Sequence, residues 1–377
     1  MYMSKNSLGK SFKDYYWIVS IDPNTSPKEL MIELSTYCNY DCIYCFRRRW
    51  INKQYRYMDK SLATKILEEA RNIGVKKISF SGWGEPLLHP HIVEIVEKAK
   101  NLGFEVLLNT NGYFLDKYID FFYEIELDEI TVSIDAPHED VYRLIRIGGD
   151  LGKLLKTLLR LKEKKIKEAR GYPRISVQFT INKYNYNNLL NMIKLAKKIG
   201  AYKLIVSNII PLTKEIENNL ACYMDKKCIE EVEKIKLDIA RISIDTGIDV
   251  NLPNFNLTYS ERTCPFAREW ALFIRSDGLV TPCIYYAYNW RNVINGIERE
   301  IKPVILGDLK KESLKNIWLN KMVLFRYKTH YMDYPSCLDC PLQEYCTLTL
   351  DNTVDCWGNS PTCAHCPYSR DMVRCPL

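Results

Sequence analysis

The residues best suited to chemistry are cysteines, and their spacing is the first signal. The run Thr36-Tyr37-Cys38-Asn39-Tyr40-Asp41-Cys42-Ile43-Tyr44-Cys45 carries three thiols as Cys-x3-Cys-x2-Cys. Three thiolates from one short loop can bind three irons of a four-iron cubane and leave the fourth iron open to a small ligand. A structural zinc site wants a fourth protein ligand close by, and the nearest histidine is His89. A second run, Ser81-Gly82-Trp83-Gly84-Glu85-Pro86-Leu87-Leu88-His89-Pro90, offers two glycines that let backbone approach a ligand and one carboxylate suited to an ammonium group. Thr110-Asn111-Gly112 is a turn signal, and Asn182 and Asn208 serve equally as turn residues or ligand contacts.

These runs need a scaffold, and the sequence supplies one. Strands are expected at Leu30–Ser35, Lys77–Ser81, Glu105–Asn109, Glu129–Ile134, Ile175–Ile181 and Leu204–Asn208, all rich in Val, Ile, Leu and Phe. Helices are expected between them at Ser61–Ile73, capped by Asp59, and at His91–Leu102, Leu115–Tyr123, Leu151–Lys165 and Asn187–Ile199. Six β-then-α units imply a parallel sheet with right-handed crossovers, open or closed into a barrel. The chemical runs follow strand C-termini, the rim that carries active sites in this architecture.

The chain has 377 residues with 47% apolar and 26% charged content and a net charge of +7. That balance allows a large core and does not demand nucleic acid. No apolar stretch reaches membrane-span length, and the start lacks the apolar centre of a secretory signal. A cytoplasmic chain, with reduced thiols, is expected. Its 14 cysteines are uneven: three in the first loop, Cys222 and Cys228 read as buried thiols, and nine from Cys264 onward.

The Cys38 loop, with Tyr44 before its third cysteine, resembles the radical S-adenosylmethionine (radical SAM) superfamily. The resemblance implies a partial (β/α)6 TIM-like barrel, a [4Fe–4S] cluster on Cys38, Cys42 and Cys45, and SAM at its open iron with Tyr44 against the adenine. It identifies Gly82, Trp83, Gly84 and Glu85 with the family's Gly-Gly-Glu-Pro loop, which binds the SAM amino group; Trp83 is a departure. By the same resemblance Ser133 and Arg146 hold the SAM carboxylate, with Arg143 as a competitor.

Cys264, Cys283, Cys337, Cys340 and Cys346 resemble the SPASM extension, a small Cys-rich domain with two auxiliary [4Fe–4S] clusters. The family pattern sets another cysteine where Leu350 stands, and the next thiols are Cys356, Cys363, Cys366 and Cys375. By resemblance Cys264 and Cys283 serve one cluster and Cys337, Cys340 and Cys346 the other; the remaining four stay undivided. Four thiolates per cluster use eight of the nine cysteines. Zinc is the rival, since Cys-x2-Cys pairs also build zinc sites. The expected organisation is an N-terminal extension (1–28), a barrel core (29–215), a helical bridge (216–258) and the SPASM domain (259–377), the last with little apolar core of its own.

The Gly82–Pro90 loop and the Cys356–Cys375 tail resemble the proposed maturases of tungsten-cofactor oxidoreductases. The expected function is a radical SAM enzyme acting on a pterin-type or peptide/protein substrate, with a ferredoxin- or flavodoxin-type reductant and neither nucleic acid nor membrane as partner. The alternatives are a peptide-modifying SPASM maturase and a non-catalytic iron–sulfur or zinc protein. A sulfatase-type base is in doubt, because Ile284 and not Asp follows Cys283; Tyr285 and Tyr286 are candidates by position only. Arg47-Arg48-Arg49-Trp50 is either a solvated face or a contact for an acidic partner.

Overall fold

The computed structural model describes residues 11–14, 16–20, 22–256, 261–321 and 323–374. A hairpin of β1 (Ser11–Asp14) and β2 (Trp17–Ser20) comes first. Then β3 (Glu29–Ile32), β4 (Lys77–Phe80), β5 (Glu105–Thr110), β6 (Glu129–Ser133), β7 (Arg174–Ile181) and β8 (Lys203–Asn208) pair in chain order, every pair parallel. Their helices are α1 (Lys60–Asn72), α2 (Ile92–Asn101), α3 (Leu115–Glu124), α4 (Glu139–Ile145), α5 (Leu151–Lys167) and α6 (Leu189–Lys198). This is the expected partial barrel. Both sheet faces are covered, so the strands bury nearly every side chain: Phe80, Val106, Val132 and Phe179 are fully enclosed. Asp59 caps α1 by accepting from the Ser61 and Leu62 amides, worth about 1 kcal/mol.

The sheet runs past the expected domain limits. β9 (Asp249–Asn251) adds to β8, while β10 (Ala271–Ile274) pairs parallel with β3 and is followed outward by β11 (Leu279–Thr281) and β14 (Gly307–Asp308). The limit drawn at 258 therefore crosses a continuous sheet of ten strands. The stretch 216–258 is less a bridge than a further unit of that sheet. It holds α7 (Lys214–Leu220), α8 (Lys226–Lys234) and α9 (Lys236–Thr246), with a break between the last two at Ile235.

β12 (Trp290–Ile294) and β13 (Ile297–Ile301) form a hairpin, and α10 (Pro265–Arg268), α11 (Leu314–Asn320) and α12 (Val323–Tyr331) complete the regular elements. The Cys-rich segment, expected to have little apolar core of its own, shares one with the barrel. Tyr285, Tyr286, Tyr288, Trp290, Tyr334, Ile294 and Ile301 are buried together with Trp50 and Trp83 of the barrel. Large rings supply the area that long helical runs would otherwise bring. No helix among the described residues is long and apolar enough to cross a membrane.

Candidate functional site

The Cys38 loop leaves the end of β3 and lies against the segment after β6. The Asp41 amide donates to the Ile147 carbonyl at 2.9 Å, and the Ile43 amide to the Ile145 carbonyl at 3.0 Å. Sequence reasoning missed α4, the backing of this loop, because seven residues with two buried positions carry too little periodicity. Burial pushes the free thiols up, Cys38 to about 11 and Cys42 to about 12, and raises Cys45 as well. Metal binding therefore has to displace protons.

Donors from the loop and from its neighbours are aimed at sulfur. The Tyr40 amide stands 3.5 Å from Cys38 Sγ, Asn111 Nδ2 3.8 Å from the same sulfur, and Arg146 Nη1 3.9 Å from Cys42 Sγ. Such contacts orient and tune iron-bound thiolates. The donor set fits a cluster held by three cysteines.

A cavity of about 210 Å³ opens beside the three cysteines. All seven residues expected to contact SAM line it: Tyr44, Gly82, Trp83, Gly84, Glu85, Ser133 and Arg146. Asn208 lines it too, whereas Asn182 closes a turn, accepting from the Tyr184 amide at 3.0 Å. Two enclosed acceptors on its walls, Asn109 Oδ1 and Asn208 Oδ1, have no partner in the protein. SAM, with its ammonium, ribose hydroxyls and adenine amine, brings donors of the kind they lack.

Arg146 is buried, with Nε 2.7 Å from Asp135 Oδ2 and Nη2 donating to the Tyr44 hydroxyl at 2.8 Å. Tyr44 in turn donates to Asp135 Oδ2 at 2.5 Å. The competitor Arg143 is 62% exposed and pairs with Glu139 on the surface of α4.

Glu85 turns its carboxylate into the protein. It accepts from the Leu87 amide (3.0 Å), the Thr110 hydroxyl (2.7 Å) and the Asn111 amide (2.8 Å), and burial pushes it up to about 7. Gly82 and Gly84 serve packing between loops: a Cβ on Gly84 would sit 2.3 Å from the Ser35 carbonyl oxygen, and one on Gly82 2.5 Å from Glu33 Cγ. Trp83, the departure from the family loop, packs on Phe46, Trp50, Tyr288 and Trp290 and donates through Nε1 to the Ile284 carbonyl at 3.2 Å. It joins the barrel to the Cys-rich segment.

The basic run has the same task. Arg48 pairs with Asp41, Arg49 reaches Glu298 at 3.0 Å, and Trp50 bridges to Trp290. Neither Tyr285 nor Tyr286 reaches the cavity, and burial raises both well above the ordinary tyrosine value. Ile284 lines it instead.

The remaining cysteines fall into two sets. Cys264, Cys283 and Cys363 line a second cavity of about 390 Å³, and Cys366 packs in the same core. Burial pushes Cys363 well up, with the Cys366, Cys264 and Cys283 sulfurs adding to it. Cys337 is pushed up to about 12 by burial, and Cys356 and Cys340 act on it in the same sense. Cys346 lies next along that chain turn, and Cys375 lies outside the described residues. His365 is buried, and its Nε2 bonds the Asp351 carbonyl at 3.2 Å. Cys222 and Cys228, expected as buried thiols, are buried and bring their sulfurs together. Among the described residues, no three His, Cys, Asp or Glu side chains close up enough to hold a single metal ion. Each thiolate of a cubane binds its own iron, so its ligands stand wider.

Comparison with known proteins identifies the family. Residues 32–173 match the radical SAM superfamily, and residues 264–341 match SPASM, an iron–sulfur cluster-binding domain. The chain belongs to the radical SAM superfamily and carries a SPASM domain. It is 32% identical, over 93% of its own length and 97% of the relative's, to the tungsten-containing aldehyde ferredoxin oxidoreductase cofactor-modifying protein of Pyrococcus furiosus. It is 25% identical to the PqqA peptide cyclase of Methylorubrum extorquens, over 93% of this chain and 88% of that one. The fold matches Streptococcus suis SuiB, solved with S-adenosylmethionine bound, at a TM-score of 0.61 and 17% identity over 85% and 72% of the two chains.

The protein is thus an enzyme that uses a [4Fe–4S] cluster with SAM, together with auxiliary iron–sulfur clusters. When bound and reduced, the cluster on Cys38, Cys42 and Cys45 would supply the one electron that cleaves SAM to methionine and a 5′-deoxyadenosyl radical able to take hydrogen from a substrate carbon. The chain's own residues hold SAM, align the substrate and exclude water.

Proposed function

We propose that this enzyme acts in the maturation of a tungsten-cofactor oxidoreductase, abstracting hydrogen from a pterin-type cofactor or its protein carrier. The observation that carries it is similarity to the Pyrococcus furiosus cofactor-modifying protein along nearly the whole of both chains, from the barrel into the Cys-rich tail. In this reading Cys38, Cys42 and Cys45 hold the radical cluster. Tyr44, Gly82, Trp83, Gly84, Ser133 and Arg146 border SAM, while Glu85 holds their loops together. Cys264, Cys283, Cys363 and Cys366 hold one auxiliary cluster, and Cys337, Cys340, Cys346 and Cys356 the other; the first four act electrostatically on one another, and Cys356 and Cys340 on Cys337, which supports that division. The reductant is a ferredoxin- or flavodoxin-type protein, in the cytoplasm.

The test supplies reconstituted enzyme, SAM and a strong reductant with pterin cofactor released from a tungsten oxidoreductase. A mass change in the pterin, matched by 5′-deoxyadenosine, is expected. A second reading, a peptide-modifying maturase, is favoured by the likeness to the PqqA peptide cyclase. Product formation with peptide substrates alone would replace the first reading with it.

A further inference from the structure

The cavity beside the cysteine loop has a wall built by the C-terminal segment, and neither the motifs nor the comparisons give that wall a task. Tyr368, Val373 and Arg374 line the same cavity as Cys38, Ser133 and Arg146. The segment is fastened in register to the end of β8. The Asn208 amide and Nδ2 donate to the Met372 carbonyl at 3.2 and 3.1 Å, and the Arg374 amide donates to Ser207 Oγ at 3.0 Å. The Asn254 amide holds the Asp371 carbonyl at 2.8 Å, and Met372 and Val373 are buried. The chain path thus fixes where Arg374 stands.

Its guanidinium is only half committed. Nη2 donates to the Asp371 carboxylate, while Nε is enclosed and has no partner. A buried donor left unpaired costs about 1–3 kcal/mol, more when charged, and calls for a ligand. The other arginine of the cavity, Arg146, is neutralised by Asp135 and occupied by Tyr44. Both arginines pair with a carboxylate and both keep an enclosed Nε without a hydrogen bond, but Asp135 Oδ2 stands 2.7 Å from the Arg146 Nε, whereas Arg374 meets Asp371 through Nη2 and leaves its Nε without an acceptor; a guanidinium is well matched to phosphate or carboxylate oxygens.

We propose that Arg374 reads an anionic oxygen of the substrate, a phosphate or a carboxylate, and so sets which substrates the cavity admits. The proposal rests on the radical SAM assignment of that cavity. It adds a specificity residue supplied by the tail, outside the cysteine and glycine motifs.

The test is equilibrium dialysis of reconstituted, SAM-loaded holoenzyme against two matched probe pairs. One pair is 6-hydroxymethylpterin monophosphate and its unphosphorylated parent; the other is the tripeptide Gly-Ala-Gly and its C-terminal amide. The wild type is expected to bind the anionic member of one pair about tenfold more tightly than the neutral member. Which pair responds tells a phosphate from a carboxylate. R374Q is expected to erase the preference and R374K to restore part of it, while the dissociation constant for SAM stays with that of the wild type. No preference in either pair, a preference that survives in R374Q, or a loss of SAM affinity in its place would overturn the proposal. Failure of the radical assignment registers separately, as wild-type enzyme with an intact cluster that makes no 5′-deoxyadenosine.

Discussion

The Tyr288 hydroxyl donates to the fully buried carboxylate of Glu33, linking the Cys-rich segment to the end of the first barrel strand. The same carboxylate accepts from the Trp83 amide at 2.8 Å and the Ser276 amide at 3.2 Å. One acidic side chain thus gathers the β3 end, the Gly82–Pro90 loop and the turn after β10. The SAM loop and the segment carrying Cys283 cannot shift independently.

Replacing Glu33 with Leu strands three buried donors. At about 1–3 kcal/mol each, the apo protein should lose at least about 3 kcal/mol, and Tyr288→Phe about 1 kcal/mol. Chemical denaturation measures both. A Glu33→Leu variant as stable as the wild type would show that the carboxylate does not hold the joint.

Glu85 predicts a pH dependence. Burial raises its folded pKa to about 7 from the ordinary 4.5. A carboxyl raised on folding stabilises the fold fully below the unfolded value, and that stability is lost as pH climbs through the folded value. Between pH 4.5 and 7 the wild type should lose about 3 kcal/mol relative to Glu85→Gln. Urea midpoints across that window test it; parallel profiles would contradict it.

Gly84→Ala forces a methyl against the Ser35 and Tyr37 carbonyl oxygens, 2.3 and 2.5 Å from the ideal Cβ. Backbone cannot yield as a flexible side chain does, so about 1–3 kcal/mol of stability should go. Iron bound after reconstitution should fall as the cysteine loop is displaced. Normal iron content with unchanged stability would refute the contact.

Asp135→Asn leaves Arg146 buried without its counter-charge, which should cost about 3–5 kcal/mol and weaken SAM binding. Arg143→Ala removes an exposed ion pair and should stay within about 0.5 kcal/mol of the wild type. Equal effects of the two variants would mean that the burial of Arg146 has no consequence.

Much of this was legible in the sequence because the relevant signals are local. Each barrel strand is a short apolar run and reads directly, and each cysteine of the first loop sits in a fixed spacing; the seven cavity residues followed from the family resemblance which that spacing carries. What escaped depends on contacts distant in the chain. β10 reads as four apolar residues in a Cys-rich stretch, and only pairing with β3 makes it part of the barrel sheet. Glu33 looks like the polar end of a strand until Tyr288, 255 residues away, closes on it. Gly82 and Gly84 line the cavity and also let two loops touch, a contact that no local signal announces. Spacing alone does not bring Cys363 and Cys366 near Cys264 and Cys283, since the contacts among those four form only in three dimensions.

The central claim is that the Cys38 loop cleaves SAM beside a domain that holds two further clusters. Anaerobic reconstitution of the wild type and of a Cys38/Cys42/Cys45→Ala variant tests it most directly, with iron, sulfide and zinc counted and 5′-deoxyadenosine assayed after SAM and a strong reductant are added. The wild type should hold about twelve irons and form product, and the variant about eight irons and no product. Product from the variant, or none from wild type with its cluster intact, would contradict the account.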